Sequence, residues 1–213
     1  MTKKSCKYVF ADVSLLAVAA IWGLTFVTVK NAIVLLPPFA FNFYRFGLAA
    51  LVMLLVAIPQ RHRIELTTVK AGFLLGIFLF AGYSFQTVGL FYTSASNTGF
   101  ITGLSVVCVP LFSTLISKAW PGMGVVIGAV SATIGLFFIS GGSVSNFNIG
   151  DFLVLFCAIS FALHIIFVGK FAVLHSTVWL VTVQIATVSL LSGISTLFLE
   201  AGNNTFVSAV WPA

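Results

Sequence analysis

Within long apolar stretches, polar residues recur in sets three or four positions apart. Trp22 pairs with Thr25, Asn42 with Arg45, and Tyr83 with Gln86 and Thr87. Thr98, Thr102 and Ser105 follow, then Ser160 with His164 and Gln184 with Thr187. That spacing puts each set on one face of a helix. Indoles, hydroxyls and amides at such positions recognise partners by hydrogen bonds. Lipid does not host such groups, so the faces are expected to turn inward. Two readings fit equally: the sets bond one another across helix contacts, or they line a shared polar cavity.

Arg45 carries the sharpest chemistry. It lies seven residues beyond Pro38, roughly 10 Å along a helix, and no acidic residue lies deep in any apolar stretch to neutralise it. It either snorkels to the membrane interface or faces inward, where its fork of donors would meet an anionic group. His164 is the deep residue that titrates near neutral pH. A hydrogen-bonded structural histidine and a proton relay are its two readings.

Enzymatic readings fail on inventory. There is no pair of deep acids, no HExxH and no phosphate loop, and Gly103-Leu104-Ser105-Val106 lacks the second glycine of a serine nucleophile motif. No catalytic residue is expected. Cys6, Cys108 and Cys157 have neither CxxC nor histidine spacing, so no metal, cofactor or disulfide framework is expected.

The elements that must position these residues are membrane helices. Hydrophobic residues make up 60% of the 213-residue chain and charged ones 7%, against about a quarter charged in soluble domains. The net charge of +6 is read as basic flanks of membrane spans, not as a nucleic-acid surface. "MTKKSCK" followed by an overlong apolar stretch is an uncleaved first span rather than a signal peptide. A span takes about 20 residues, which gives seven, at about 13–34, 37–58, 70–90, 95–117, 122–141, 151–170 and 178–199. Pro37-Pro38, "IPQRHR", "YTSASN", Pro121-Gly122 and "SGGSVSNFNIG" separate them. Ser94, Ser96 or Asn97 is expected to cap the fourth, and Pro110 to bend it. A cytoplasmic N-terminus places Lys3, Lys4, Lys7, Arg61, Arg63, Lys70, Lys118 and Lys170 inside, eight of the ten basic residues. Asp151, Glu200 and the Asn203 sequon then face out. Small-residue stripes (Gly72/Gly76, Ala95/Gly99/Gly103, Gly124/Gly128/Ala132) are expected at helix contacts.

"AIWGLTFVTVK" (20–30), "PPFAFNFYRFGLAAL" (37–51) and "GLFYTSASNTGFITGLSVVCVPLFS" (89–113) resemble the EamA family of the ten-span drug/metabolite transporter superfamily. The match is close over about residues 12–141, and the order WG…P…R…YTSA.N.GFI…P is specific. The resemblance implies an all-α membrane bundle of two inverted five-helix repeats, and export of small metabolites by alternating access in the bacterial inner membrane. A faint internal repeat agrees: Asp12…Lys30 resembles Asp151…Lys170, and Gln184 falls near the position of Arg45. The expected organisation is a tail (1–12), a first repeat (13–141) and a second repeat holding two of its five spans (142–213). The chain reads as truncated after span 7.

The candidate substrate-binding residues are Trp22, Thr25, Asn42, Arg45, Tyr83, Gln86, Thr102, Ser105, His164 and Gln184. The expected partners are a small-molecule substrate, the bilayer and, as a way to complete the fold, a second copy of the chain. A non-transporting membrane scaffold is the competing reading. Polar faces saturated by one another favour the scaffold, and unsatisfied ones around a void favour transport.

Overall fold

The computed structural model describes residues 3–118, 120–139 and 147–200. These residues form eight α-helices: α1 (Lys3–Ala32), α2 (Pro38–Ala57), α3 (Leu66–Tyr92), α4 (Ala95–Gly103), α5 (Ser105–Ser117), α6 (Met123–Ile139), α7 (Ile149–Phe171) and α8 (Thr177–Ser195). A 3-10 stretch, Ile58–Arg63, follows α2, and a π-helical turn, Thr196–Glu200, ends α8. Six segments are long and apolar enough to cross a bilayer, with α4 and α5 together making one of them. The helix α6 is apolar but only 17 residues long; the last two residues of the fifth expected span lie outside the described residues.

Local chemistry sets the boundaries. Pro38 occupies the first turn of α2, where its missing N–H costs nothing, and Pro37 before it is extended. Ser94 caps α4 by accepting from the Asn97 N–H at 3.0 Å, one of the three residues expected there. A full capping box starts α7: Asn148 accepts from Asp151 N, and Asp151 accepts from Asn148 N. The fourth span is interrupted at Leu104, between α4 and α5, rather than at Pro110, which lies inside α5.

The contacts fix an up-and-down bundle with two polar ends. Lys30, Thr93, Asp151 and Glu200 gather at one end. At the other, the Trp179 indole donates to the Gln60 carbonyl at 2.9 Å, and Thr68 lies 3.1 Å from His175. Helix α7 therefore runs opposite to α1. Asp151 and Glu200 lie at the end opposite Gln60 and His175, and their side chains are buried there, only 1% and 7% exposed. Both are drawn in by helix-terminal N–H groups, with Glu200 accepting from Phe39 N and Ala40 N at 2.8 and 2.9 Å.

The centre of the bundle is α3, packed against α7 and α8, with α2 against α8. In lipid, close backbone approach rather than water exclusion drives such contacts. At Gly76 an added Cβ would lie 2.5 Å from Thr187 Cβ, and at Gly150 it would lie 2.5 Å from the Gly89 carbonyl oxygen. The small-residue stripe of α6 is a correction: beside Gly124 and Gly128 there is nothing within 4 Å. The reason is that α6 touches only α4 and α5 substantially.

Candidate functional site

A narrow cavity lies among α1, α2, α3 and α4, with a volume of about 20 Å³, room for about one water. Six of the ten candidate residues line it: Trp22 and Thr25 from α1, Arg45 from α2, Tyr83 and Gln86 from α3, and Thr102 from α4. Phe26, Val29 and Leu90 complete the wall.

Each side chain is placed by its helix. The Tyr83 ring is held between Phe46, at 4.6 Å between centroids, and Phe161, at 5.2 Å and edge-on. Above this aromatic floor the Arg45 guanidinium carbon lies 5.0 Å from the Phe46 ring centroid and 5.1 Å from that of Tyr83. Ring faces attract a cation, more strongly where water is excluded. Among the described residues Arg45 makes no hydrogen bond and no ion pair, so ring contacts leave its five N–H donors open. Gln86 donates to the Thr102 hydroxyl at 3.2 Å and reaches Cys157 Sγ at 3.8 Å. The Thr25 hydroxyl donates to the Trp22 carbonyl at 2.6 Å. Trp22 is 51% exposed, because α1 leaves most of its length uncovered.

The other four candidates lie elsewhere. Asn42 is fully buried and joined to Thr87 by contacts of 3.2 and 3.3 Å. His164 and Gln184 bond each other at 2.8 Å between α7 and α8. Ser105 opens α5, beyond the cavity wall. Helical phase therefore brought six residues together and assigned four to contacts that are not part of this cavity.

The candidate set left out Lys30 and Thr93. The Lys30 ammonium donates to the carbonyls of Leu90, Phe91 and Thr93 at 2.5, 3.2 and 2.8 Å. The Asn148–Asp151 spacing was the available signal that Asp151 bonds the start of α7, since it is that of a capping box. Among the described residues no group of three His, Cys, Asp or Glu could hold a metal ion.

Residues 9–141 match the model of the EamA-like transporter family. The chain belongs to that family. It is a multi-pass integral membrane protein. It is 42% identical over 186 residues to an uncharacterized transporter of Archaeoglobus fulgidus, an alignment covering 87% of this chain and 58% of the relative. It is 31% identical over 204 residues to the uncharacterized transporter YvbV of Bacillus subtilis, covering 90% and 63%. The chain thus spans about six-tenths of these relatives. No solved structure matches it.

Proposed function

We propose that this chain is the substrate-handling part of a secondary active exporter of small metabolites, working by alternating access, and that the cavity beneath Trp22 receives an anionic group such as a carboxylate. The observation that carries the reading is Arg45: a guanidinium inside a membrane bundle, seated on two rings, with no acid beside it among the described residues. A structural arginine would be expected to spend its donors on the protein. The family and the transporter names of the relatives support the same class. The cavity is too small for a metabolite as it stands, which fits one state of a protein that must widen to bind. The bacterial inner membrane is the proposed location, with the N-terminus cytoplasmic. Single-cysteine labelling of intact cells should then mark position 147 and spare position 62, and the reverse pattern would refute the orientation.

The test is efflux from cells against a panel of carboxylates, amines and neutral solutes at matched membrane abundance. We expect export of the carboxylates, with the amines and neutral solutes retained. A non-transporting scaffold is the second reading, favoured by the direct bonding of Asn42 to Thr87 and of His164 to Gln184. Absence of export for every solute in the panel would favour it.

A further inference from the structure

Thr93 is held from two sides. Its carbonyl accepts from Lys30 of α1, and its hydroxyl donates to Asp151 of α7 at 2.5 Å. The ammonium has three N–H donors and meets three carbonyl oxygens, all at the C-terminal end of α3, where the helix dipole is negative. Asn97 adds weaker contacts, 3.4 Å to the Thr93 hydroxyl and 3.4 Å to Asp151. One threonine in the α3–α4 turn thus links a cation on the first span to a carboxylate on the sixth.

We propose that this two-sided grip on Thr93 closes the Arg45 cavity at its own end of the bundle, and that release of the Lys30 half opens it there. The proposal rests on the transporter reading above only for its purpose; the closure itself is a separate property. Three features place the grip at the cavity. Val29 and Leu90 line the cavity, and they flank the clamp directly: Lys30 follows Val29, and the Leu90 carbonyl is one of its acceptors. Val29, Ile33 and Leu90 also pack together as a buried apolar plug at this end. The rest of α1 has little to hold it: Gly23 has nothing within 4 Å, and Leu15, Leu16 and Leu24 are largely exposed. Beyond this fastening, α1 meets the bundle mainly through Trp22, Thr25 and Phe26, which line the cavity. Breaking the fastening would let its end leave α3 without dismantling the α3–α7–α8 core.

Lys30, Thr93 and Asp151 are on this account positioning residues, and accessibility rather than transport tests them. The reporter is a cysteine at Val29, in the full chain with Cys6, Cys108 and Cys157 replaced by serine, reconstituted in vesicles. A membrane-impermeant maleimide is applied on the face bearing the Thr93 turn. Lys30→Met should raise the labelling rate on the order of tenfold, as expected for loss of charged hydrogen bonds. Thr93→Val, which keeps the carbonyl but loses the bond to Asp151, should raise it less. Lys30→Arg, which can still donate to the carbonyls, should stay slow. A second reporter, Thr68→Cys at the far end of the bundle, is labelled with the same maleimide applied on that opposite face; it controls for unfolding and should react equally slowly with Lys30 or Met at position 30. An unchanged rate at Val29→Cys in the Lys30→Met background overturns the proposal, and so does an equal rise at both reporters. Efflux is not read, so the clamp can fail while the transporter reading stands, and the reverse.

Discussion

Asn42 and Arg45 sit three residues apart on one helix, and their surroundings are opposite. Asn42 is sealed from solvent and spends its amide on Thr87 and on the Tyr83 carbonyl. Arg45 is half-buried, lies over two rings and keeps its donors open toward a cavity. Both are polar, both are in phase, and both face the interior. The difference teaches that facing inward is shared by residues that hold helices together and residues that await a ligand. What separates them is whether the protein itself answers their hydrogen-bonding capacity.

The largest expected effect comes from Arg45. Losing the fork should cost export on the order of a hundredfold for Arg45→Gln, the scale seen when a buried charged hydrogen bond loses one partner. Arg45→Lys should fall between, because a point charge on a flexible stem cannot copy two parallel donors. Membrane abundance should hold in both. Full transport by Arg45→Lys, measured as initial efflux rate, would move Arg45 to the interface and remove the contrast with Asn42.

Gly82→Ala sharpens the contrast from beneath. A Cβ there would run into the Phe161 ring, which packs edge-on against Tyr83. Overpacking of this kind costs about 1–3 kcal/mol. It should also tilt the Tyr83 ring from under Arg45, so export falls beyond what abundance explains. Phe161→Leu in the same chain should restore both stability and export. Restoration of stability alone would show that the aromatic floor does not position Arg45.

Asn42→Ala should act on folding. It leaves Thr87 buried without its partner, at about 1–2 kcal/mol, read as a lower midpoint of unfolding in detergent. Export per folded molecule should stay near its starting value. A loss of export at unchanged stability would bring Asn42 back into the site.

The reach of the sequence follows the same physics. The spans were legible because a bilayer demands long uncharged runs, and the turns because Pro37-Pro38 and "YTSASN" leave the backbone little choice. The cavity wall was legible in part: Trp22, Thr25, Arg45, Tyr83, Gln86 and Thr102 have helical phase and converge. His164, Gln184, Asn42 and Ser105 have the same phase but face different neighbours, and phase carries no information about which helix lies opposite. Gly124 and Gly128 show the same gap, since a small stripe allows close packing without supplying a partner. The burial of Asp151 was not legible, because the partner that covers it, Thr93, lies fifty-eight positions away in the chain.

The smallest expected effect concerns His164 and Gln184, which bond each other at 2.8 Å across α7 and α8. As a pair bonded to each other they belong with Asn42. Removing one partner leaves the other unsatisfied, at about 1–3 kcal/mol, while removing both with similar volume is close to neutral. His164→Phe and Gln184→Leu should therefore each lower stability, and the double variant should be more stable than the sum of the two losses allows. Export should be unchanged in all three at equal abundance, with no shift in its pH profile. A proton relay predicts otherwise: His164→Phe would flatten the pH profile whether or not Gln184 is present. The double-mutant cycle in stability, paired with the pH profile of export, thus decides whether this buried histidine is held by its neighbour or used by the protein.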